Sequence, residues 1–412
     1  MSHPLINSDR LWDSLRQMAL IGATPKGGVH RLALSEEDRR ARELFREWCE
    51  SLDMSVRHDA MGNQFARFQG RDPEAHPILI GSHLDSQPTG GKYDGTLGVL
   101  AGLEVIRTLV EQGIELNHPL ELVNWTNEEG ARFAPAMIGS GVYAGAFELE
   151  DAHAIQDQEG ITIKDALDRI GYLGQGMEQP HYIASLELHI EQGPVLEEKG
   201  QLTGVVTGVQ GVRWYEIRVY GKAAHAGSTP MSMRYDPVKT AMSVIGACYD
   251  CIALDDQAKV TFGTFRTYPG AINTVPEQVT FNIDLRHPDG KTLDQLDTQF
   301  RELMKQKEKT GITIIVKDIW HSPPVRFHEN CIQAVSKASE KLGLPANPML
   351  SGAGHDSVYL NRVIPTGMIF IPCKDGLSHN EAESIESHHA TAGTNVLLHA
   401  LLELDKPSSE PH

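Results

Sequence analysis

The chain has 412 residues, too many for one ordinary hydrophobic core, so about two or three domains are expected. With 40% hydrophobic and 22% charged residues it reads as a folded globular protein, and its net charge of −18 argues against nucleic acid as a partner. A small anionic substrate stays open, because one local cation can capture it in an acidic protein.

The opening segment, MSHPLINSDRLWDSLRQ, has neither a basic n-region nor an apolar h-region. No apolar run approaches the roughly 20 residues a bilayer span needs, so no membrane partner is expected. Five scattered cysteines (Cys49, Cys248, Cys251, Cys331, Cys373) suit reduced thiols and a cytoplasmic location better than a disulfide framework.

Residues 35–52 read as an amphipathic helix. Ser35 and Asp38 make a capping box, and Ala41, Leu44, Phe45, Trp48 and Leu52 share one face. Short strands follow around Val56 and Phe65, split by the turn Met61-Gly62-Asn63. PILIGSH is an apolar run suited to a buried strand and ends at His83. A Gly-rich loop leads into a helix from Gly95 to Gln112. LELVNW then ends just before Asn127-Glu128-Glu129-Gly130, IASLELHIEQG carries His189 near its end, and GMIFIP precedes Ser378-His379-Asn380. Strands alternating with helices predict an α/β fold built on a mostly parallel sheet.

Between 213 and 328 the grammar changes. RWYEIRVYG, PVKTAMSVIGACYDCIA, VTFGTFRTYPG, QVTFNIDLR, LDQLDTQFRELMKQ and ITIIVKDIW run strand, helix, two strands, helix, strand. That βαββαβ order is ferredoxin-like α+β, and the segment reads as a domain inserted between 1–212 and 329–412. Its CxxC, Cys248 and Cys251, lies in an apolar helix and reads as two buried small residues rather than half a zinc site.

The chemistry gathers where the strands end. In open α/β sheets ligands bind beyond the carboxyl ends of strands, where His83, Glu129, His189 and the His379 loop all fall. Asp85, two residues after His83, is placed to accept the second N–H of a ligating imidazole. Glycines on both sides of Lys92-Tyr93-Asp94 let the backbone turn Asp94 inward, although an N-cap for the following helix is the ordinary role for such an Asp. Adjacent carboxylates such as Glu128 and Glu129 usually mark a solvated loop; in a metal site one ligates and the other stays free as a base. No GxSxG elbow or convincing Cys/His pairing offers a rival nucleophile.

Together, GSHLDSQPTGGKYDG, NEEGARF, ELHIEQGPVLE, GKAAHAGSTPM, GAINTVP and SGAGHDS with SHNEAE resemble the M20-type metal amidohydrolases. Within them the likeness, from about residue 78 to 390, is to the N-carbamoyl-L-amino acid hydrolase and β-ureidopropionase (hydantoinase/carbamoylase) branch. The resemblance implies a catalytic α/β domain interrupted by a lid and dimerisation domain, and two divalent ions per subunit. Zinc comes first, with manganese, cobalt and nickel also suited to mixed His and carboxylate ligands.

It further implies that His83 and His189 hold one ion, Glu129 and His379 the other, and Asp94 bridges them. Glu128 becomes the general base and Asp85 the partner of His83. Gln192 and Gly354 become substrate contacts, His225 the residue that polarises the scissile carbonyl, and Asn273 and Arg286 the holders of the substrate carboxylate. In such relatives the counterparts of His225 and Asn273 reach a neighbouring subunit's site, so a functional homodimer is implied.

Chemistry fits these roles. A urea carbonyl is a weak electrophile, and a water bridging two cations has its pKa lowered to about 7. The expected reaction is hydrolysis of N-carbamoyl amino acids to amino acid, ammonia and carbon dioxide. Allantoate-type ureide hydrolysis, deacylation and dipeptide cleavage are the enzymatic alternatives, and an inactive ligand-binding or scaffold homologue is the non-enzymatic one. Bland readings also stand beside the functional ones: His225 as an ordinary loop histidine, Arg286 paired with Asp284 or Asp289, and His355-Asp356 as loop structure. His388-His389 and the tail KPSSEPH read as solvated.

Overall fold

A computed structural model describes residues 3–176 and 180–406, so most of KPSSEPH lies outside the described residues. The chain divides into two compact units, Met1–Gly208 with Arg326–His412, and Val209–Val325. The second unit differs from the expected 213–328 by a few residues at each end, because its first strand already starts at Gly211.

The first unit opens with α1 (Ser8–Met18), α2 (Glu36–Glu50), β1 (Ser55–His58), β2 (Gln64–Phe68), β3 (Ile78–His83), α3 (Thr96–Gln112) and β4 (Leu120–Trp125). Short helices α4 (Ile138–Tyr143), α5 (Leu149–Ala154) and α6 (Ile163–Ile170) precede β5 (Ala184–Ile190), α7 (Val195–Glu198) and β6 (Gly204–Val209). Ser35 caps α2 by accepting from the Asp38 N–H, while the Asp38 carboxylate accepts from the N–H of Leu34 rather than of Ser35. The buried stripe of α2 is Asp38, Ala41, Arg42, Phe45 and Cys49; Leu44 and Trp48 are half-buried. This rotation away from the expected face follows from burying an ion pair, Arg42 Nε to Asp38 Oδ2 at 2.9 Å.

The second unit comprises β7 (Gly211–Tyr220), β8 (Ala224–His225), α8 (Pro237–Ile252), β9 (Lys259–Thr261), β10 (Phe265–Tyr268), β11 (Thr274–Val275), β12 (Gln278–His287), α9 (Gly290–Lys307) and β13 (Thr313–Ser322). Its antiparallel sheet runs β10-β12-β7-β13, with β9 also on β12. Alternation along β12 buries Val279, Phe281, Ile283 and Leu285 against Val244 of α8 and Leu296 and Phe300 of α9. Cys248 joins this core, but Cys251 is exposed, contrary to the expected burial of both; in the last turn of α8 it is Ile252, four residues on from Cys248, that packs against the core. A separate two-stranded ribbon pairs β8 with β11.

The chain then completes the first unit with β14 (Val325–Arg326), α10 (Glu329–Lys341), β15 (Pro348–Ser351), α11 (Ser357–Leu360), β16 (Thr366–Ile371) and α12 (Ser387–Leu404). Among the described residues nine strands form its sheet, in the order β1-β2-β4-β3-β5-β16-β6-β14 with β15 on β6. The sheet is mixed rather than mostly parallel. Its centre, β4-β3-β5-β16, is parallel, whereas β1, β2 and β6 pair antiparallel. The difference lies in the connections: helical crossovers serve the centre, while a tight turn joins β1 to β2. The parallel strands are buried along their whole length, and α3 lies on β3 with nearly every side chain covered. Gly98 permits that approach, since a methyl there would stand 2.5 Å from the Leu188 carbonyl oxygen.

Candidate metal centre

The carboxyl ends of the four parallel strands converge on one cluster. His83 closes β3, His189 is the penultimate residue of β5, Glu128 and Glu129 follow β4, and His379 lies in the loop after β16. Asp94 arrives from the turn before α3. Gly95 caps that helix without a side chain, so Asp94 is released from capping and faces the histidines. Gly95 has φ +61°, and a methyl there would lie 2.3 Å from the His83 ring, so the close approach requires glycine.

Two ligand groups share Asp94. Its Oδ1 lies 3.0 Å from His189 Nε2 and 3.8 Å from His83 Nε2. Its Oδ2 lies 3.5 Å from His379 Nε2, which is in turn 3.2 Å from Glu129 Oε2. Ligand atoms of His83, Asp94 and His189 fall within 4.8 Å of one another, as do those of Asp94, Glu129 and His379. Glu128 belongs to neither group, although its Oε2 is 3.5 Å from His83 Nε2. The five ligand positions expected from the sequence thus come together, with Glu128 beside them.

The electrostatics fit a cation. His83 Nε2 is buried with no hydrogen-bond partner, the state of a nitrogen kept for a metal. Burial lowers the His83 pKa to about 4, so the ring is neutral and its lone pair available. Burial opposes the ionisation of Asp94, but the His189 hydrogen bond and the nearby histidines hold it below the usual carboxylate range. His189 in turn is raised to about 9 by Asp94, against the effect of burial. Burial and neighbouring carboxylates push both Glu128 and Glu129 well above the usual range. Divalent cations offset such crowding of negative charge.

The surrounding contacts revise one expectation. His83 Nδ1 pairs with the backbone carbonyl of Asp85 at 3.0 Å, and the Asp85 carboxylate is 3.7 Å away. That carboxylate instead accepts the N–H groups of Glu128 and Glu129 at 3.2 and 3.3 Å, so it orders the acidic pair. The reason is local: the chain turns after β3, bringing the carbonyl rather than the side chain back to the ring. Asn127 and Gln192 hold φ +57° and His379 φ +53°, a left-handed region that few non-glycine residues adopt and that is concentrated at functional sites. Gln192 donates to Asp94 Oδ2 at 2.8 Å, and Gly354 lies in the loop between β15 and α11.

Three groups escaped the sequence reading. Glu383 accepts the N–H groups of Tyr93 and Asp94 and the Ser378 hydroxyl, so it holds the Asp94 turn; the acid in SHNEAE was the available signal. Gln87 donates to Glu129 Oε2 at 2.8 Å. His355 and Asp356, read as loop structure, are buried: the His355 ring centroid is 4.5 Å from that of His189, and Asp356 accepts from Ser140.

In the second unit, β8 and β11 pair His225 with Thr274, and the Ala226 N–H donates to the Asn273 carbonyl, so His225 and Asn273 are neighbours. His225 Nδ1 accepts from the N–H groups of Gly227 and Ser228 at 3.1 and 3.0 Å. With Nδ1 occupied as an acceptor, Nε2 is the nitrogen left to donate. Arg286 makes a bidentate contact with Asp284, one of the surface partners considered for it.

The description of peptidase family M20/M25/M40 matches residues 79–403. An N-carbamoyl-L-amino-acid amidohydrolase of Rhizobium meliloti is 46% identical over 97% of this chain and 96% of that protein. The chain belongs to the M20 family. A solved amidase of the hydantoinase/carbamoylase family from Burkholderia multivorans superimposes on this M20 chain with a TM-score of 0.94, at 47% identity, covering 98% of this chain and 99% of that one. An allantoate amidohydrolase of Bacillus subtilis is 33% identical over 95% of this chain and 96% of that protein. The M20 chain is a hydrolase of C–N amide bonds, from a metal-dependent family. Among the described residues no helix is long and apolar enough to cross a membrane.

Proposed function

We propose that this M20 chain hydrolyses N-carbamoyl-L-amino acids to the amino acid, ammonia and carbon dioxide, using two divalent ions and a homodimeric site. The observation that carries the reading is Asp94, whose two oxygens face different ligand groups, His83 with His189 on one side and His379 with Glu129 on the other. Such a shared carboxylate suits a two-metal hydrolase, and the relatives' names point to the carbamoyl group.

His83, Asp94 and His189 would hold one ion and Asp94, Glu129 and His379 the other, and such ions would supply Lewis acidity toward the carbonyl and lower the pKa of water. Glu128, buried and made basic by its surroundings, takes the water's proton and returns it to the departing nitrogen. Asp85 fixes the backbone from which Glu128 reaches. His225 presents an Nε2–H, the donor that a carbonyl oxygen gaining negative charge requires. Arg286, whose fork is paired with Asp284, would exchange that carboxylate for the substrate's, with Asn273 as a second contact and Gln192 and Gly354 as further substrate contacts.

Arg286 and the His225–Asn273 ribbon lie at opposite ends of β12. Residues 278 and 286 are separated by ~26 Å of strand. One small substrate cannot meet both in a single copy, which supports a site completed by a second subunit. Exposed Ile272, Tyr268, Met231 and Met233 near that ribbon are apolar surface of the kind a partner covers.

The test is ammonia release by cation-loaded protein from N-carbamoyl-L-α-amino acids, N-carbamoyl-β-alanine and allantoate. The α-carbamoyl compounds are expected to give the highest kcat/KM. Highest turnover of allantoate would replace this substrate by the ureide, and silence on all three would overturn the carbamoyl assignment.

A further inference from the structure

Arg31 is a buried cation that no part of the proposed chemistry uses; its side chain is 1% exposed. Its guanidinium makes four hydrogen bonds, all to neutral acceptors. Nε donates to the Leu84 carbonyl at 2.6 Å, Nη1 to the carbonyls of Met18 and Ile21 at 3.1 and 3.0 Å, and Nη2 to Thr96 Oγ1 at 2.9 Å. Its backbone is tied to Ser86 in both directions, through the Ser86 hydroxyl and the Ser86 N–H. Burial lowers its pKa to about 10, so it stays charged near neutrality.

The acceptors are informative by position. Leu84 stands between His83 and Asp85, the residues that contribute one ligand and order the acidic pair. Thr96 opens α3 directly after Asp94-Gly95, and its N–H bonds the Asp94 carbonyl at 2.6 Å. The Met18 and Ile21 carbonyls lie at the C-terminal end of α1, where the helix dipole favours a cation. One rigid fork therefore spans the segment that carries His83 and the segment that carries Asp94, and anchors both to α1. A buried charge without a carboxylate beside it is costly, and here the carboxylates that offset it at longer range include Asp85 of the site itself.

We infer that Arg31 is a positioning residue of the metal centre: by clamping the Leu84 carbonyl and the Thr96 hydroxyl to one guanidinium it sets the spacing of His83 and Asp94. The inference rests on the two-metal reading above. Lysine cannot replace the fork, because a single ammonium on a flexible stem cannot meet acceptors on three segments at fixed angles.

The test uses the full chain stripped of metal and titrated with cobalt(II), reading affinity and the visible d–d spectrum, beside thermal melting of the apo form. Arg31→Lys is expected to weaken cobalt binding about tenfold or more and to alter the spectrum. Thr96→Val, which deletes one acceptor and keeps the fold's volume, is expected to do the same to a smaller degree. Leu296→Ala, a truncation in the core of the second unit, should lower melting while leaving affinity and spectrum unchanged. If wild type binds no cobalt, the metal reading itself fails. If wild type binds cobalt and Arg31→Lys and Thr96→Val both bind it equally well with the same spectrum, Arg31 is merely structural and the inference is overturned. Should Arg31→Lys not fold, Thr96→Val alone decides by the same criterion.

Discussion

Glu128→Gln is expected to lower kcat by about 10²–10⁴-fold while metal content and KM stay close to wild type. The side chain sits in neither ligand group, so its replacement by an isosteric amide removes no ligand from Asp94, His83, His189, Glu129 or His379. What it removes is the proton acceptor. The carboxylate is buried among Asp356, Glu129, Asp85 and Asp94, and that environment raises its basicity. An amide cannot take a proton from water or return it to the leaving nitrogen. Loss of metal in the variant, measured by elemental analysis, would instead make Glu128 a ligand, and unchanged kcat would remove it from the mechanism.

Arg42→Met is expected to cost about 3–5 kcal/mol of stability in the first unit, because it leaves the Asp38 carboxylate buried without its counter-charge. Both side chains are almost fully buried, at 1% and 0% exposure. Arg42 also donates to the Gly62 carbonyl at 2.6 Å and to Thr126 Oγ1 at 3.1 Å, so the variant strips partners from two further segments. Asp38 keeps only the Leu34 N–H at 2.7 Å on Oδ2, and its Oδ1 has no partner. Adding Asp38→Asn should recover part of the loss by removing the stranded charge. Hydrogen exchange of the α2 amides reads the effect in this unit alone; protection equal to wild type in Arg42→Met would show that the pair contributes nothing net.

Much of the site was legible because its chemistry is written at strand ends. Apolar runs such as PILIGSH and LELVNW mark buried strands, and the polar residues that close them fall at the edge where ligands bind. His83, Asp94, Glu129, His189 and His379 could be gathered on that ground together with the family resemblance. Partner choice was not legible in the same way. Asp85 was expected to bond the His83 ring, yet the ring takes the backbone carbonyl and the carboxylate takes two backbone N–H groups; sequence spacing does not distinguish these outcomes.

Buried charges were the other blind spot. On α2 the apolar pattern suggested Leu44 and Trp48 facing inward, whereas Asp38 and Arg42 occupy the interior because they satisfy each other there. Arg31 in VHRLAL carries no periodic signal, since its burial depends on carbonyls from positions 18, 21 and 84. The sheet's antiparallel margins likewise depend on pairing across the chain, which alternation within one strand does not encode.

The most direct measurement is the product balance of the cation-loaded protein acting on an N-carbamoyl-L-amino acid, with amino acid, ammonia and carbon dioxide quantified from one reaction. The three are expected in equal amounts, all abolished when a chelator removes the metal. Amino acid released from an N-acyl compound or a dipeptide, with no ammonia from any carbamoyl compound, would contradict the carbamoyl assignment.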